Sequence, residues 1–433
     1  MRRALVALAT LGLAVGSGLA VLLLADRLVG RLVDPRFTPL AGTAHADTVL
    51  ARPEFRVPVR TNAAGFRGPA LPGAKPAGVY RIVALGDSFT FGFGVRERQA
   101  WPARLAALLD ARTGGTPRVE VVNLGVPGTG PRDYLWHLAH TGLALQPDLV
   151  VIGFFANDVN DVYQLDRFGM RSPLFALAAL QNGGLAPRPW WKRAADATLP
   201  NLYALGARTT NRLASAGPGE AHAAAREVAS APAADPATMI AALGARYGRR
   251  DAVVARYRSL PARDRATLDA FLAGAPLGED MRPALLLAAL VDPDAEADGV
   301  LLRSEERRQA WNTTAALLRR IVRLARSAGA ETAIAVMPAS EQVDRARWPV
   351  LEDVGFRLDP AMLSDTAEVD AVRHVAVQEG ATVVDLVEAF RAHRDAGLYF
   401  RLDEHWNARG QGFAAARIAA AVTPHIRGEG RSS

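Results

Sequence analysis

The chain contains no cysteine. That excludes disulfides, thiolate metal sites and a cysteine nucleophile. It is compatible with an oxidising compartment without requiring one. Aromatic residues make up only 7% of the 433 residues, and no dense basic block carries them interleaved. The formal charge is +7, but the arginines are spread over many helical patterns, which argues against nucleic acid as a partner. The stretch Gly125-Val126-Pro127-Gly128-Thr129-Gly130-Pro131 does not fit Gly-x-Gly-x-x-Gly, and no P-loop lysine is present. Nucleotide binding is therefore disfavoured, and no cofactor is implied. The paired short helices of the middle region show no clear repeat period.

What is present is an ordinary globular composition, 50% apolar and 22% charged. The length suggests one core domain plus an insertion or small second domain. Met1-Arg2-Arg3 precedes an apolar run from Ala4 to Ala25 that Asp26, Arg27 and Arg31 end. About 20 apolar residues cross a bilayer, and the positive start directs the rest of the chain outward. Residues 1–30 are thus predicted to be a signal-anchor that meets the lipid bilayer through residues 4–25. Secretion after cleavage is the alternative. Small-residue sites stand at Ala14-Val15-Gly16, inside the run, and at Ala44-His45-Ala46, far beyond it. Residues 31–78 read as a connector with a short edge strand at Val57 and Val59. Asn62 suits an Asx turn there, Gly65 a positive φ, and Arg67 a structural role, with a reach to a site as the alternative.

Strands are expected at Val79–Leu85, Arg118–Leu124 and Asp148–Phe155, with helices at Gln99–Arg112 and Pro131–Leu143. The third strand is almost continuously apolar, as in a sheet covered on both faces. Alternating strands and helices predict an α/β fold with a parallel sheet. From about residue 163 the pattern becomes Ala-rich and helical, with candidates at Leu174–Leu180, Trp190–Leu213, Thr238–Ser259, Pro261–Leu272 and Arg282–Leu290. Gly217–Asp235 holds few large apolar residues. The α/β pattern resumes with a helix at Ser304–Ser327, a strand at Glu331–Met337 and a loop at Pro338–Val343. Next come a helix at Asp365–Glu379, a strand at Ala381–Leu386 and a helix at Val387–His393. Ala408–Ile426 closes the chain. The sum is about five strands with a large helical insertion after the third.

Ligands in such sheets bind beyond the carboxyl ends of the strands. Ser88, Gly125 and Asn157 all fall just after strand ends. Val83-Ala84-Leu85-Gly86-Asp87-Ser88 reads as strand, tight turn and helix start, which can present a hydroxyl beside unpaired backbone N–H groups. The same residues also suit a simple helix cap. A serine nucleophile needs a base, and the base needs an orienter. His405 stands in a turn-like stretch two residues after Asp403, a spacing that lets the carboxylate meet one imidazole nitrogen. A structural histidine and a metal site are the competing readings, although a third and fourth metal ligand are not evident. Backbone N–H groups of Ser88 and Gly125, with the Asn157 side chain, are candidate oxyanion donors. Asn157-Asp158 fits a helix cap equally well. Arg132, Asp133 and Asp161 fall near this site and read either as substrate contacts or as surface residues.

Four stretches together resemble the blocks of the Ser-Gly-Asn-His hydrolases, also called GDSL esterases. These are Gly86-Asp87-Ser88, Asn123-Leu124-Gly125, Gly153-Phe154-Phe155-Ala156-Asn157-Asp158 and Asp403-Glu404-His405-Trp406-Asn407. The resemblance covers residues 79–162 and 304–427 and leaves 163–303 as an inserted helical cap. It implies a three-layer α/β/α sandwich of the flavodoxin-like kind. It also implies Ser88 as nucleophile, His405 as base and then acid, and Asp403 as orienter. Ser88, Gly125 and Asn157 would form the oxyanion hole. The terminal block reads Asp-x-His where many members have Asp-x-x-His, and Leu402 cannot serve. That version looks more like membrane-associated or periplasmic members acting on O-acyl groups of glycans. With the signal-anchor, the expected location is a bacterial inner membrane, the catalytic domain facing the periplasm or cell exterior. The expected activity is ester cleavage on an acylated small molecule or glycan. An O-acetyltransferase acting on an envelope polysaccharide is the alternative, and a non-catalytic glycan-binding scaffold is the third reading.

Overall fold

A computed structural model describes residues 2–32, 37–179, 235–275 and 281–427, with scattered positions between 191 and 206. The expected helix at Trp190–Leu213 lies largely outside the described residues. So do most of Gly217–Asp235 and the last residue of Leu174–Leu180. Contacts divide the chain into two units: Met1–Thr38 with Leu177–Asp235, and Pro39–Ala176 with Pro236–Ser433.

In the first unit, Arg2–Leu32 is one helix. Its stretch Gly12–Val29 is long and apolar enough to cross a bilayer. The helix runs on past Asp26, whose carboxylate accepts the backbone N–H groups of Asn201 and Leu202, each at 2.8 Å.

The second unit holds two sheets. Strands β1 (Asp47–Arg52) and β2 (Phe55–Arg60) form an antiparallel hairpin, with Arg52 opposite Phe55. Alternate residues of β2, Phe55, Val57 and Val59, are buried, as a half-covered strand requires. The Val57/Val59 segment is therefore a strand, but in a separate hairpin whose first strand the sequence pattern did not suggest.

The main sheet contains β3 (Val79–Leu85), β4 (Arg118–Asn123), β5 (Leu149–Phe155), β6 (Glu331–Met337) and β7 (Thr382–Asp385). Their spatial order is β4-β3-β5-β6-β7, and every pair is parallel. The two-residue period of each strand sends alternate side chains to opposite layers. Val83, Leu85, Val150, Ile152, Ile334 and Val336 pack against helices Pro131–His137, Asn157–Phe168, Glu305–Ser327 and Ala367–Glu379. Ile82, Ala84, Leu149, Val151, Ala333 and Ala335 pack against Trp101–Thr113, Leu386–Arg391 and Ala408–Ile426. The result is an α/β/α sandwich of five parallel strands. Fully burying each large apolar side chain contributes roughly 1.5–3 kcal/mol, and all seven residues of β5 are buried.

Several boundaries differ from the sequence expectation for local reasons. Thr238–Ser259 is two helices, Pro236–Arg246 and Arg250–Ser259, because Gly248 turns the chain at φ +62°. The expected helix Pro131–Leu143 is α-helical to His137 and then continues as a single π turn, Leu138–Gly142. Pro338–Val343 is not all loop, since Ser340–Val343 makes one helical turn. Helices Ala295–Leu301 and Trp348–Asp353 are additional. Asn157–Phe168 runs unbroken across residue 163, where the insertion was expected to begin.

Candidate active site

The strand order places the carboxyl ends of β3, β4 and β5 side by side. A reversal of winding at β3 opens a crevice there, the usual ligand position in such sheets. Ser88 begins a one-turn helix, Ser88–Phe91, directly after β3. Asp87 caps that turn, its Oδ1 accepting from Phe89 N at 2.9 Å. The capping and nucleophile readings of Asp87-Ser88 are thus compatible, because the cap is what aims the serine. Gly86 has φ +155°, and a Cβ there would collide with Thr90 Oγ1. Only glycine lets the strand turn this sharply into the helix.

Ser88 Oγ stands 2.8 Å from His405 Nε2. His405 Nδ1 stands 2.6 Å from Asp403 Oδ1, which also accepts His405 N–H at 2.9 Å. An ionised carboxylate only accepts, so Nδ1 carries the ring proton and Nε2 offers its lone pair to the Ser88 hydroxyl. The fold therefore brings Ser88 to the Asp403–His405 pair, which stands 317 positions away in the sequence. His405 is buried, stacked on Phe93 (centroids 4.5 Å apart, 30° between planes) and flanked by Phe89 at 4.9 Å. Burial lowers its pKa, but the hydrogen bond and charge of Asp403, with Glu404 and Asp87, more than offset that. The net shift is upward. Asp403 moves down: burial raises its pKa, and the His405 bond and charge outweigh it. Asp87 is fully buried, and burial pushes it up to about 6 against the pull of Phe89 N–H and His405.

Gly125 follows β4 and passes so close to the serine turn that a Cβ would lie 2.5 Å from Phe91 N. Its own N–H donates to Asn123 Oδ1 at 2.9 Å, while Asn123 Nδ2 donates to Thr90 O at 2.9 Å. Asn123 therefore pins the glycine loop to the serine helix. Asn157 begins the helix after β5, and its Oδ1 is buried with no hydrogen-bond partner among the described residues.

The remaining polar candidates are not plain surface residues. Asp133 is buried and paired with Arg171 through two bonds, 2.5 and 2.8 Å, and Arg132 pairs with Asp166. Burial raises Asp161 well above the usual carboxylate range. Arg67 is structural. Its guanidinium donates to Gly92 O at 2.5 Å and Val95 O at 2.7 Å, bracing the turn that carries Phe93. Asn62 makes the expected Asx turn through Ala64 N at 3.0 Å, and Gly65 has φ +83°.

Sequence reasoning gave no role to Phe93, to Asn123, which it named only within the glycine block, or to Glu54, which bears on the His405 loop. The Gly92-Phe93-Gly94 run, a bulky ring between two flexible residues, was a readable signal for the first. Beside His405 lies a cavity of about 120 Å³ lined by Arg52, Phe93, Met281, Leu285, Arg347 and Asp403 among others.

Residues 82–186 match the family model described as GDSL-like Lipase/Acylhydrolase. Residues 297–432 match the one described as SGNH hydrolase-like domain, acetyltransferase AlgX. No curated protein matches. Solved structures that align include the acetyl xylan esterase AlAXEase at 12% identity, covering 79% of this chain and 99% of that one, TM-score 0.36. A catalytic mutant of Axe2, an acetylxylan esterase from Geobacillus stearothermophilus, aligns at 12% identity over 81% and 96%, TM-score 0.36. LAE5, an alpha/beta hydrolase enzyme from the metagenome of Lake Arreo, Spain, aligns at 15% over 80% and 96%, TM-score 0.35. Scores this low carry no weight, and the assignment rests on the two family models, one spanning β3 to β5 and the other β6 to the closing helix. The chain belongs to the SGNH/GDSL hydrolase superfamily, whose enzymes include esterases and acetyltransferase-like members.

Proposed function

We propose that the chain is a serine esterase that removes a small O-acyl group through an acyl-enzyme on Ser88. The observation that carries this reading is the continuous line Ser88 Oγ, His405 Nε2, His405 Nδ1, Asp403 Oδ1, with links of 2.8 and 2.6 Å. Ser88 Oγ attacks the ester carbonyl while its proton passes to His405 Nε2. Asp403 holds the tautomer and faces the imidazolium that forms. The N–H groups of Ser88 and Gly125 and the Asn157 amide receive the oxyanion. Gly125 N–H must then be shared with, or released from, Asn123. Collapse expels the alcohol, which takes the proton back from His405. Water, deprotonated by the same nitrogen, then frees the acid.

A second reading has its own support. The model matching residues 297–432 is described as an acetyltransferase domain. Replacing water by a sugar hydroxyl in the last step gives O-acetyl transfer with the same groups. An acylated glycan is the substrate class we favour, and the cavity beside His405 lies on the Asp403 side of the imidazole. Met281 and Leu285 wall that cavity, which supports residues 163–303 as an inserted cap on a hydrolase domain of 79–162 and 304–427. The apolar stretch of the first helix supports a single-pass anchor with the enzyme on the periplasmic side.

The test is to treat the full chain with p-nitrophenyl acetate and a fluorophosphonate, and to locate the label by mass spectrometry. Labelling at Ser88 that disappears in His405→Ala is expected. Label elsewhere, or label that persists in the variant, would sink the assignment.

A further inference from the structure

We propose that Glu54, at the tip of the β1–β2 hairpin, is the positioning residue for the loop that carries Asp403 and His405. The inference rests on reading Ser88, His405 and Asp403 as the catalytic set. Its Oε1 accepts Arg401 N–H at 2.6 Å, and its Oε2 accepts Leu402 N–H at 2.5 Å and Asp403 N–H at 3.0 Å. Three consecutive amides converge on one carboxylate, an anion nest filled by a side chain from the far end of the sequence. Charge-assisted bonds of this kind are about twice as strong as neutral ones.

The loop needs such an anchor. An isolated bridge between Tyr399 and Trp406 closes its base, and Phe400 N–H bonds back to His405 O at 3.1 Å. Beyond that base, the backbone N–H groups of residues 401–403 turn to Glu54. The anchor itself is stiff. Arg52 faces Phe55 across the hairpin, so Pro53-Glu54 is a two-residue turn, and proline fixes φ at its first position.

The next residue grips the same site from the other side. Phe55 packs edge-on against Phe93 at 5.9 Å and tilts against Phe400 at 4.8 Å. Phe93 is the ring stacked on His405. Two adjacent hairpin residues thus hold the acid loop by its backbone and the imidazole by its stacking partner. The hairpin lies in the segment read from sequence as a mere connector.

Removing the carboxylate returns three N–H groups to water near the surface, so the fold persists while the loop relaxes. A displacement near 1 Å is enough to cost on the order of 100-fold in rate. Glu54→Ala is expected to lower kcat for p-nitrophenyl acetate, and the rate of Ser88 labelling, by about 10- to 100-fold. KM should stay within about twofold. A purely structural loss would leave the pH profile alone. Here the acid limb should move to lower pH, because Asp403 no longer sits squarely on Nδ1. The charges facing His405 are Asp403, Glu404 and Asp87, and Arg347 faces Asp403. Glu54→Gln, with one accepting oxygen left, should fall between.

Hydrogen exchange on the wild-type chain reads the clamp directly. The amides of residues 401–403 should be protected, and the protection should vanish in Glu54→Ala. Unprotected amides in the wild type, or a Glu54→Ala enzyme with wild-type labelling and an unmoved acid limb, would overturn the proposal. Should the wild type fail to label at Ser88, the esterase reading falls, and hydrogen exchange alone still decides the clamp.

Discussion

Asp403→Asn is the sharpest test of the charge line. The substitution keeps shape and size. Its amide oxygen can still accept His405 N–H, which lies 2.9 Å from Asp403 Oδ1 in the wild type. What it removes is a full negative charge 2.6 Å from His405 Nδ1. A hydrogen bond to a charged partner contributes about 1.5–3 kcal/mol. Opposite charges centred about 4 Å apart add roughly 4 kcal/mol at an effective dielectric near 20. Allowing for overlap between the two, the imidazolium in the transition state loses about 4–6 kcal/mol, or roughly 10³- to 10⁴-fold in rate. An Asn amide turned toward Nδ1 would also favour the tautomer whose Nε2 bears hydrogen, and that ring cannot take the Ser88 proton. The assay is the rate of fluorophosphonate labelling and of p-nitrophenol release from about pH 5 to 9, a range that spans histidine titration. In the wild type the acid limb should lie above that of free histidine, since the base must be neutral and its pKa is raised. In the variant the limb should fall toward or below the ordinary value. A loss smaller than about tenfold, with an unmoved limb, would refute the role of Asp403.

Two other outcomes rest on the same geometry. Asp87 is buried with its pKa raised to about 6. Between about pH 4 and 6 the folded chain keeps a proton that the unfolded chain has released, so stability falls as pH rises through that window. Above it the full penalty applies, roughly 3 kcal/mol for a carboxyl pushed from its ordinary value up to about 6. Asp87→Asn, still a good cap, should therefore raise the melting temperature by a few degrees near neutral pH and by little at about pH 4; an equal shift at both values would contradict this. Gly125→Ala would push a methyl to 2.5 Å from Phe91 N, against backbone that cannot yield cheaply. Ser88 labelling should drop by at least about 100-fold, with circular dichroism unchanged, and a normally labelled variant would show that the loop has slack.

Most of the sheet was legible because its strands obey simple patterns. β5 is continuously apolar where helices cover both faces, and its limits match the expected ones to within a residue. The long helix Glu305–Ser327 announced itself through spacing, and Ser304, expected within it, caps it by accepting from Arg307 N. Ser88, Gly125, Asn157 and His405 were legible because each sits where a strand ends or a turn begins. What sequence could not convey was long-range pairing. Glu54 is an unremarkable acid in a connector until the fold sets it against residue 401, 347 positions further along the chain. Asp133 read as a substrate contact or a surface residue, and its burial is explained by Arg171 and the N–H groups of Leu40 and Gly130. The break at Gly248 was present in the sequence but was outweighed by the helical spacing on either side of it.

The serine and its base are 317 positions apart. The closing helix is tied back to the serine turn by Gln411, which accepts Trp101 N–H at 2.7 Å and donates to Phe89 O at 3.2 Å. In the proposed roles, the nucleophile emerges during synthesis long before its own base. The nascent chain would then be silent toward esters, and a chain halted or clipped before His405 is expected to present a serine turn that cleaves nothing.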